Sequence, residues 1–181
     1  MEQSLPSVNK VAIKWALIYV LTGIVITYVV EIAKLDPNSP IKYLGYIPLI
    51  AFLLLAQKEH KDLHGGYVSF GDAFMTGFKY GLFSGLLFGV FMYLYLAFLS
   101  PEVMVKILDT QRDAMVAKGA PSDQIEKSTE IMTKYGTILI AFGVAIWYII
   151  LGAIIGLIGA AIFKKERSAY DPEPETTDPA V

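Results

Sequence analysis

Glycine recurs at every fourth residue along one apolar run of this chain, at Gly77, Gly81, Gly85 and Gly89. In water each would weaken a helix by about 1 kcal/mol relative to alanine. The run from Ala73 to Leu99 is apolar and aromatic apart from Thr76, Lys79 and Ser84. A helix of that composition belongs in a lipid bilayer, where small residues at i, i+4 let two backbones approach closely. Four residues of an α-helix turn through about 400°, so each glycine lies about 40° round from the last. The stripe therefore winds by about 120° from Gly77 to Gly89. One partner helix follows it only by crossing at an angle, near the roughly −40° of GxxxG pairs.

The rest of the chain has the same character. Of 181 residues, 55% are hydrophobic and only 18% charged, with mean hydropathy +0.52. Soluble domains carry roughly 25% charged residues, and here the apolar residues come in long blocks, the pattern of membrane spans. A net charge of −2 with no basic face excludes a nucleic-acid binder. The absence of cysteine excludes disulfides, thiolate metal sites, thiol catalysis and a lipoprotein anchor. The first apolar block is too long for a signal core and lacks a small-x-small site, so it reads as an uncleaved span.

The predicted fold is all-α, an integral membrane four-helix bundle with an amphipathic helical hairpin between spans 3 and 4. Residues 1–10 form an N-terminal segment and residues 11–163 the membrane domain. Its spans lie at about 11–32, 41–57, 73–99 and 137–163. The two prolines and Asn38 in Asp36 to Pro40 mark a turn. Span 2 is weak: Tyr43 to Gln57 gives only about 22 Å at 1.5 Å per residue, against roughly 30 Å of hydrocarbon. A full crossing is favoured over a re-entrant segment, with Lys42 and Lys58 at its ends and a kink at Pro48. Residues 58–66 read as a polar linker. Ser69 with Asp72 has the form of a capping box that starts a helix near Phe70. Ser100-Pro101-Glu102 reads as a helix restart with Ser100 as N-cap.

Residues 101–135 are predicted as the hairpin. One stripe is Met104, Ile107, Leu108 and Met115; the other is Ile125, Met132 and Tyr135. Gly119-Ala120-Pro121 separates the two halves, with Ser122 or Asp123 capping the second, which runs on toward span 4. Residues 164–181 are a basic anchor followed by an acidic tail without fixed structure. Eight lysines and arginines fall on the side of the two termini and seven on the other. The first group crowds short segments beside the spans, which favours an orientation with both termini inside.

The segment Gly66-Tyr67-Val68-Ser69-Phe70-Gly71-Asp72-Ala73-Phe74, with Gly77 following, resembles the signature of the domain-of-unknown-function family 4199. The order of four apolar blocks with a long helical loop between the last two is also similar, over about Asn9 to Phe163. The resemblance implies an integral inner-membrane protein of Bacteroidota-type bacteria, without an assigned activity. Gly66, Tyr67, Ser69, Phe70, Gly71, Asp72 and Phe74 carry the motif, and family members often have an acidic residue where Asp72 stands. The family lends no catalytic residues.

Each candidate site has a plain reading beside a sharper one. Gly152, Gly156 and Ala160 in span 4 make a ridge similar to the ladder, so packing within the chain is the first reading. Contact with a second copy or another membrane protein, and a pore-lining glycine face, are the alternatives. Lys79 is the one charge well inside an apolar run, where ionisable residues cost roughly 3 kcal/mol at mid-bilayer. Snorkelling toward the region of Asp72 and Tyr80 is favoured over a buried partner such as Glu31 or a transport role. His60 and His64 share the i, i+4 spacing of zinc ligands, but Gly65-Gly66 ends any helix there and a solvated linker is the simpler reading. No Ser/His/Asp set, paired membrane carboxylates or phosphate loop stands out. No cofactor or metal site is expected, and an enzyme is disfavoured. The sequence points to a structural or accessory membrane protein, with the bilayer and a second copy or a membrane protein as partners. A small transporter or channel for an unidentified solute is the alternative, and an enzyme of lipid metabolism a third reading with no feature in its favour.

Overall fold

The computed structural model describes residues 7–35 and 40–166, without the side chains of 41 and 42. The turn expected at 36–39, the first six residues and the acidic tail from 167 lie outside the described residues. Within them the regular structure is helical: α1 (Val8–Ile32), a 3₁₀ turn (Pro40–Tyr43), α2 (Tyr46–Leu63), α3 (Phe70–Leu94), a π-helical turn (Tyr95–Leu99), α4 (Pro101–Ala117) and α5 (Ser122–Phe163). One isolated antiparallel bridge joins Val68 to Lys165.

Three segments are long and apolar enough to cross a membrane: Val8–Ile32, Phe70–Leu99 and Ser122–Phe163. α2 is not among them, although it packs against α1, α3 and α5. The crossing expected at 41–57 is thus redrawn. The helix starts later, at Tyr46, and its second half takes in Lys58 to Leu63, which had read as a polar linker. Gly65 and Gly66 at φ +68° and +84° then turn the chain into α3, a backbone that favours glycine. α5 runs unbroken for 42 residues, about 63 Å at 1.5 Å per residue.

Burial is inverted relative to a soluble domain. Where α3 meets α5 the buried residues are small or polar: Thr76, Ser84 and the glycines on α3, Ala141, Ala145, Gly152 and Gly156 on α5. Large aliphatic side chains are exposed, Ile32 at 79%, Ile47 at 65% and Ile162 at 65%. Soluble proteins bury such residues, whereas helices in lipid meet through small residues and leave the aliphatics outside. Hydroxyls along the helices bond backward to their own backbone, Thr22 to Ile18 O at 2.8 Å and Thr27 to Gly23 O at 2.9 Å. Such bonding satisfies polar groups that lipid cannot.

α3 is the central helix, in contact with α1, α2 and α5. At mid-bundle Tyr19, Tyr80, Leu49 and Leu53 are fully buried. Tyr19 and Tyr148 share a hydrogen bond of 2.7 Å between hydroxyls, and Tyr80 donates to Leu49 O at 3.2 Å. The base of the α4–α5 hairpin packs Met104 with Ile107, Leu108 and Met132 against Tyr95 and Leu96. The predicted stripes are closed there and open further out: Tyr135 is 49% exposed. Pro121 holds the cap position of α5, and neither Ser122 nor Asp123 does.

Candidate functional site

The α3 glycines lie against α5 in antiparallel register. A Cβ added at Gly77 would stand 2.7 Å from Gly156 Cα, and one at Gly81 would stand 2.6 Å from Gly152 Cα. At Gly85 it would meet Ala145 O at 2.6 Å, and at Gly89 Ala141 O at 3.0 Å. These are backbone atoms, so no side-chain rotation makes room. The α5 ridge extends past the expected Gly152, Gly156 and Ala160 to Ala145 and Ala141. Ala160 is fully buried with Ala73, Val68, Phe74 and Phe163 at the other end. Along the opposite flank Gly23 of α1 receives the edge of Phe88, with 2.7 Å between a hypothetical Cβ and the ring.

One buried amide ties three helices together where this seam begins. Gln57 of α2 is fully buried, and its Nε2 donates to Ala73 O of α3 at 2.9 Å and to Gly156 O of α5 at 2.8 Å. Gly77 and Gly159 leave the space it occupies: a Cβ at Gly77 would stand 2.9 Å from Nε2, and one at Gly159 would overlap Oε1. Sequence reasoning passed over Gln57 as the end of a weak span. The signal was its place one turn beyond Leu49 and Leu53, both buried on the same face of α2.

Below this clamp the segment from Gly66 to Phe74 builds the end of the bundle. Ser69 caps α3, its Oγ accepting from Asp72 N at 3.1 Å and donating to Asp72 Oδ2 at 2.7 Å. Val68 and Lys165 exchange two backbone hydrogen bonds of 2.9 Å each. The Lys165 ammonium sits 4.8 Å from the centre of the Tyr67 ring. Phe74 packs on the Val68, Ala73 and Ala160 cluster, Phe70 is 40% exposed, and a Cβ added at Gly71 would meet only Ser69 Oγ, at 3.8 Å. The motif thus fastens the loop before α3 to the chain leaving α5.

An open cleft of about 630 Å³ lies at this end, lined among others by His60, His64, Ser69, Asp72, Lys165 and Glu166. The histidines are not in a solvated linker. His60 is 3% exposed, its ring centre 4.3 Å from that of His64, and its Nδ1 has no hydrogen-bond partner. His64 Nδ1 lies 2.7 Å from His60 O. Burial, and then the neighbouring His64, hold the His60 pKa below its usual value, with Asp72 pulling the other way. Among the described residues no group of three or more His, Cys, Asp or Glu could hold a metal ion.

Lys79 and Glu31 are far apart. Glu31 accepts from Ser100 Oγ at 2.8 Å at the other end of the bundle, so Ser100 occupies the cap position of α4 without capping it through its side chain. Tyr80, expected to help receive Lys79, is instead buried and bonded to Leu49 O. Lys79 is half-buried on the flank of α3 that carries Met75, Leu86 and Val90, all exposed. Two further contacts escaped sequence reasoning because their partners are distant in the chain: Lys14 and Trp15 both donate to Glu59 Oε2, the latter at 2.7 Å.

No curated protein and no solved structure matches the chain. The family of proteins of unknown function DUF4199 matches residues 14–165. That match takes in α2, the capped motif loop, the glycine seam and the bridge to Lys165, and the chain belongs to this family.

Proposed function

We propose that the chain is a non-catalytic accessory protein of the bacterial inner membrane, in which a four-helix membrane bundle holds an extramembrane helical hairpin against another membrane protein. The observation that carries this reading is the continuity of α5. Its first 15 residues or so belong to the hairpin, and the same helix then runs into the glycine seam without a break. A contact made on the hairpin is therefore fixed to the bundle with no intervening hinge on that side.

The outer hairpin offers a surface for such a contact. Val105, Val116, Ile131 and Tyr135 are 49–58% exposed, and a groove of about 960 Å³ runs between Arg112, Val116, Ile125, Thr129, Thr133 and Lys134. Exposed apolar groups flanked by charges mark protein-contact surfaces. Both termini are placed inside and the hairpin outside, following the crowding of lysines near the terminal end. The seam is filled from within the chain, so a second copy would have to use another face.

Deletion of Pro101 to Lys134 tests the reading. Membrane insertion is expected to persist, while a stoichiometric partner that co-purifies with the full chain is lost. Unchanged co-purification overturns the proposal, and solute flux in proteoliposomes places the chain among small transporters instead.

A further inference from the structure

Lys79 is a charge inside an apolar run, and among the described residues no acid forms an ion pair with it. It lies nine residues beyond Phe70, the first residue of α3, about 13 Å along the axis. Gly77 faces Gly156, so Lys79 is level with Ile154, and at or below that level α5 exposes Ile154, Leu157, Ile158 and Ile162. The surroundings at this depth are those of hydrocarbon. Among the described residues the ion pairs are Lys14–Glu59 and Lys58–Asp62, and Asp72, seven residues toward the start of α3, forms none with Lys79. The lysine stem is carried toward Phe70, because Cα–Cβ bonds tilt toward the helix N-terminus. Snorkelled that way the ammonium is aimed at the headgroup zone, where a lipid phosphate is the counter-charge the bilayer supplies.

We propose that Lys79 binds the phosphate of an anionic phospholipid headgroup, drawn toward the flank of α3 beside Met75. Lys10 and Lys164 are exposed at the same end of the bundle and Lys61 is half-exposed there, and these basic residues favour an anionic lipid over a zwitterionic one. The inference rests on the membrane part of the reading above and is independent of the hairpin. Free phosphate shares the headgroup chemistry but lacks the acyl chains that would lie along Met75 and Leu86.

Native mass spectrometry of the full chain in mild detergent, titrated with phosphatidylglycerol or phosphatidylcholine, tests the site. The wild type is expected to retain the anionic lipid about fivefold over the zwitterionic one. Lys79→Met, which suits a lipid-facing position and leaves the fold intact, should remove most of that preference. Lys79→Arg should keep it, and so should Lys61→Met, which removes one charge at the same end. A preference that survives Lys79→Met, or falls equally with Lys61→Met, overturns the proposal. So does displacement of the lipid by millimolar inorganic phosphate, which would make the site one for free phosphate.

Discussion

At Gly81 a methyl group would press on the Cα of Gly152 at 2.6 Å, where neither backbone has a rotamer to change. Overpacking of this kind costs about 1–3 kcal/mol, more than the roughly 1 kcal/mol that alanine gains in helix propensity. Gly81→Ala is therefore expected to lower the thermal midpoint in detergent. Gly143 has nothing within 4 Å of its would-be Cβ, so Gly143→Ala should be neutral or slightly stabilising. Equal gains from both would show that helix propensity and not the seam sets the stability. A second residue-scale expectation concerns pH. Burial keeps His60 below its usual pKa, so as pH falls through about 6.5 the unfolded chain takes up a proton before the folded one does. Stability is present above that pH and declines below it. Replacing His60 with glutamine should flatten the decline, and a stability curve between pH 5 and pH 8 that the substitution leaves unchanged would remove the histidine from the account.

Between α2 and its neighbours the decisive contact is the Gln57 amide, held by one carbonyl on α3 and one on α5. Interhelical hydrogen bonds in membranes contribute about 0.6–2 kcal/mol. Gln57→Met keeps the length of the side chain and loses both bonds, so it should cost about 1 kcal/mol. Hydrogen exchange should rise in α2 more than in α3 or α5, since the α3–α5 seam does not depend on it. Uniform exchange across all three helices would contradict this division. The same element shows what the sequence made legible. Helix existence followed from long apolar blocks, and the start of α3 at Phe70 followed from Ser69 and Asp72, which act over three residues. Gln57 and Glu59 lie beyond local sequence reading because their partners are on other helices, up to 99 residues away for Gly156. A polar residue at the end of a short apolar stretch looks the same whether it faces solvent or a buried carbonyl. The Leu49, Leu53, Gln57 spacing held that information only as a face, without naming what the face meets.

Across the whole molecule the chain ascends in α1, descends in α2, ascends in α3 and descends in α5, with the hairpin at the end opposite His64 and Lys165. Contacts fix this order: Lys14 meets Glu59 at one end, Glu31 meets Ser100 at the other, and Val68 pairs with Lys165. α2 decides the topology, since its uncharged part from Tyr46 to Gln57 reaches only about 18 Å against roughly 30 Å of hydrocarbon. It lies beside the first half of α3, from Gln57 at Ala73 to Leu49 at Tyr80. The chain has no cysteine, so single cysteines report sidedness without background. Variants Lys61→Cys and Lys164→Cys are expected to react with an impermeant maleimide only after the membrane is opened, and Lys34→Cys and Lys118→Cys in intact cells. If Lys34 and Lys61 report from opposite sides, the segment between them crosses whatever the length of α2. Labelling of both from one side would contradict the placement of residue 61 at the Lys14 end of α1 and overturn the four-span reading.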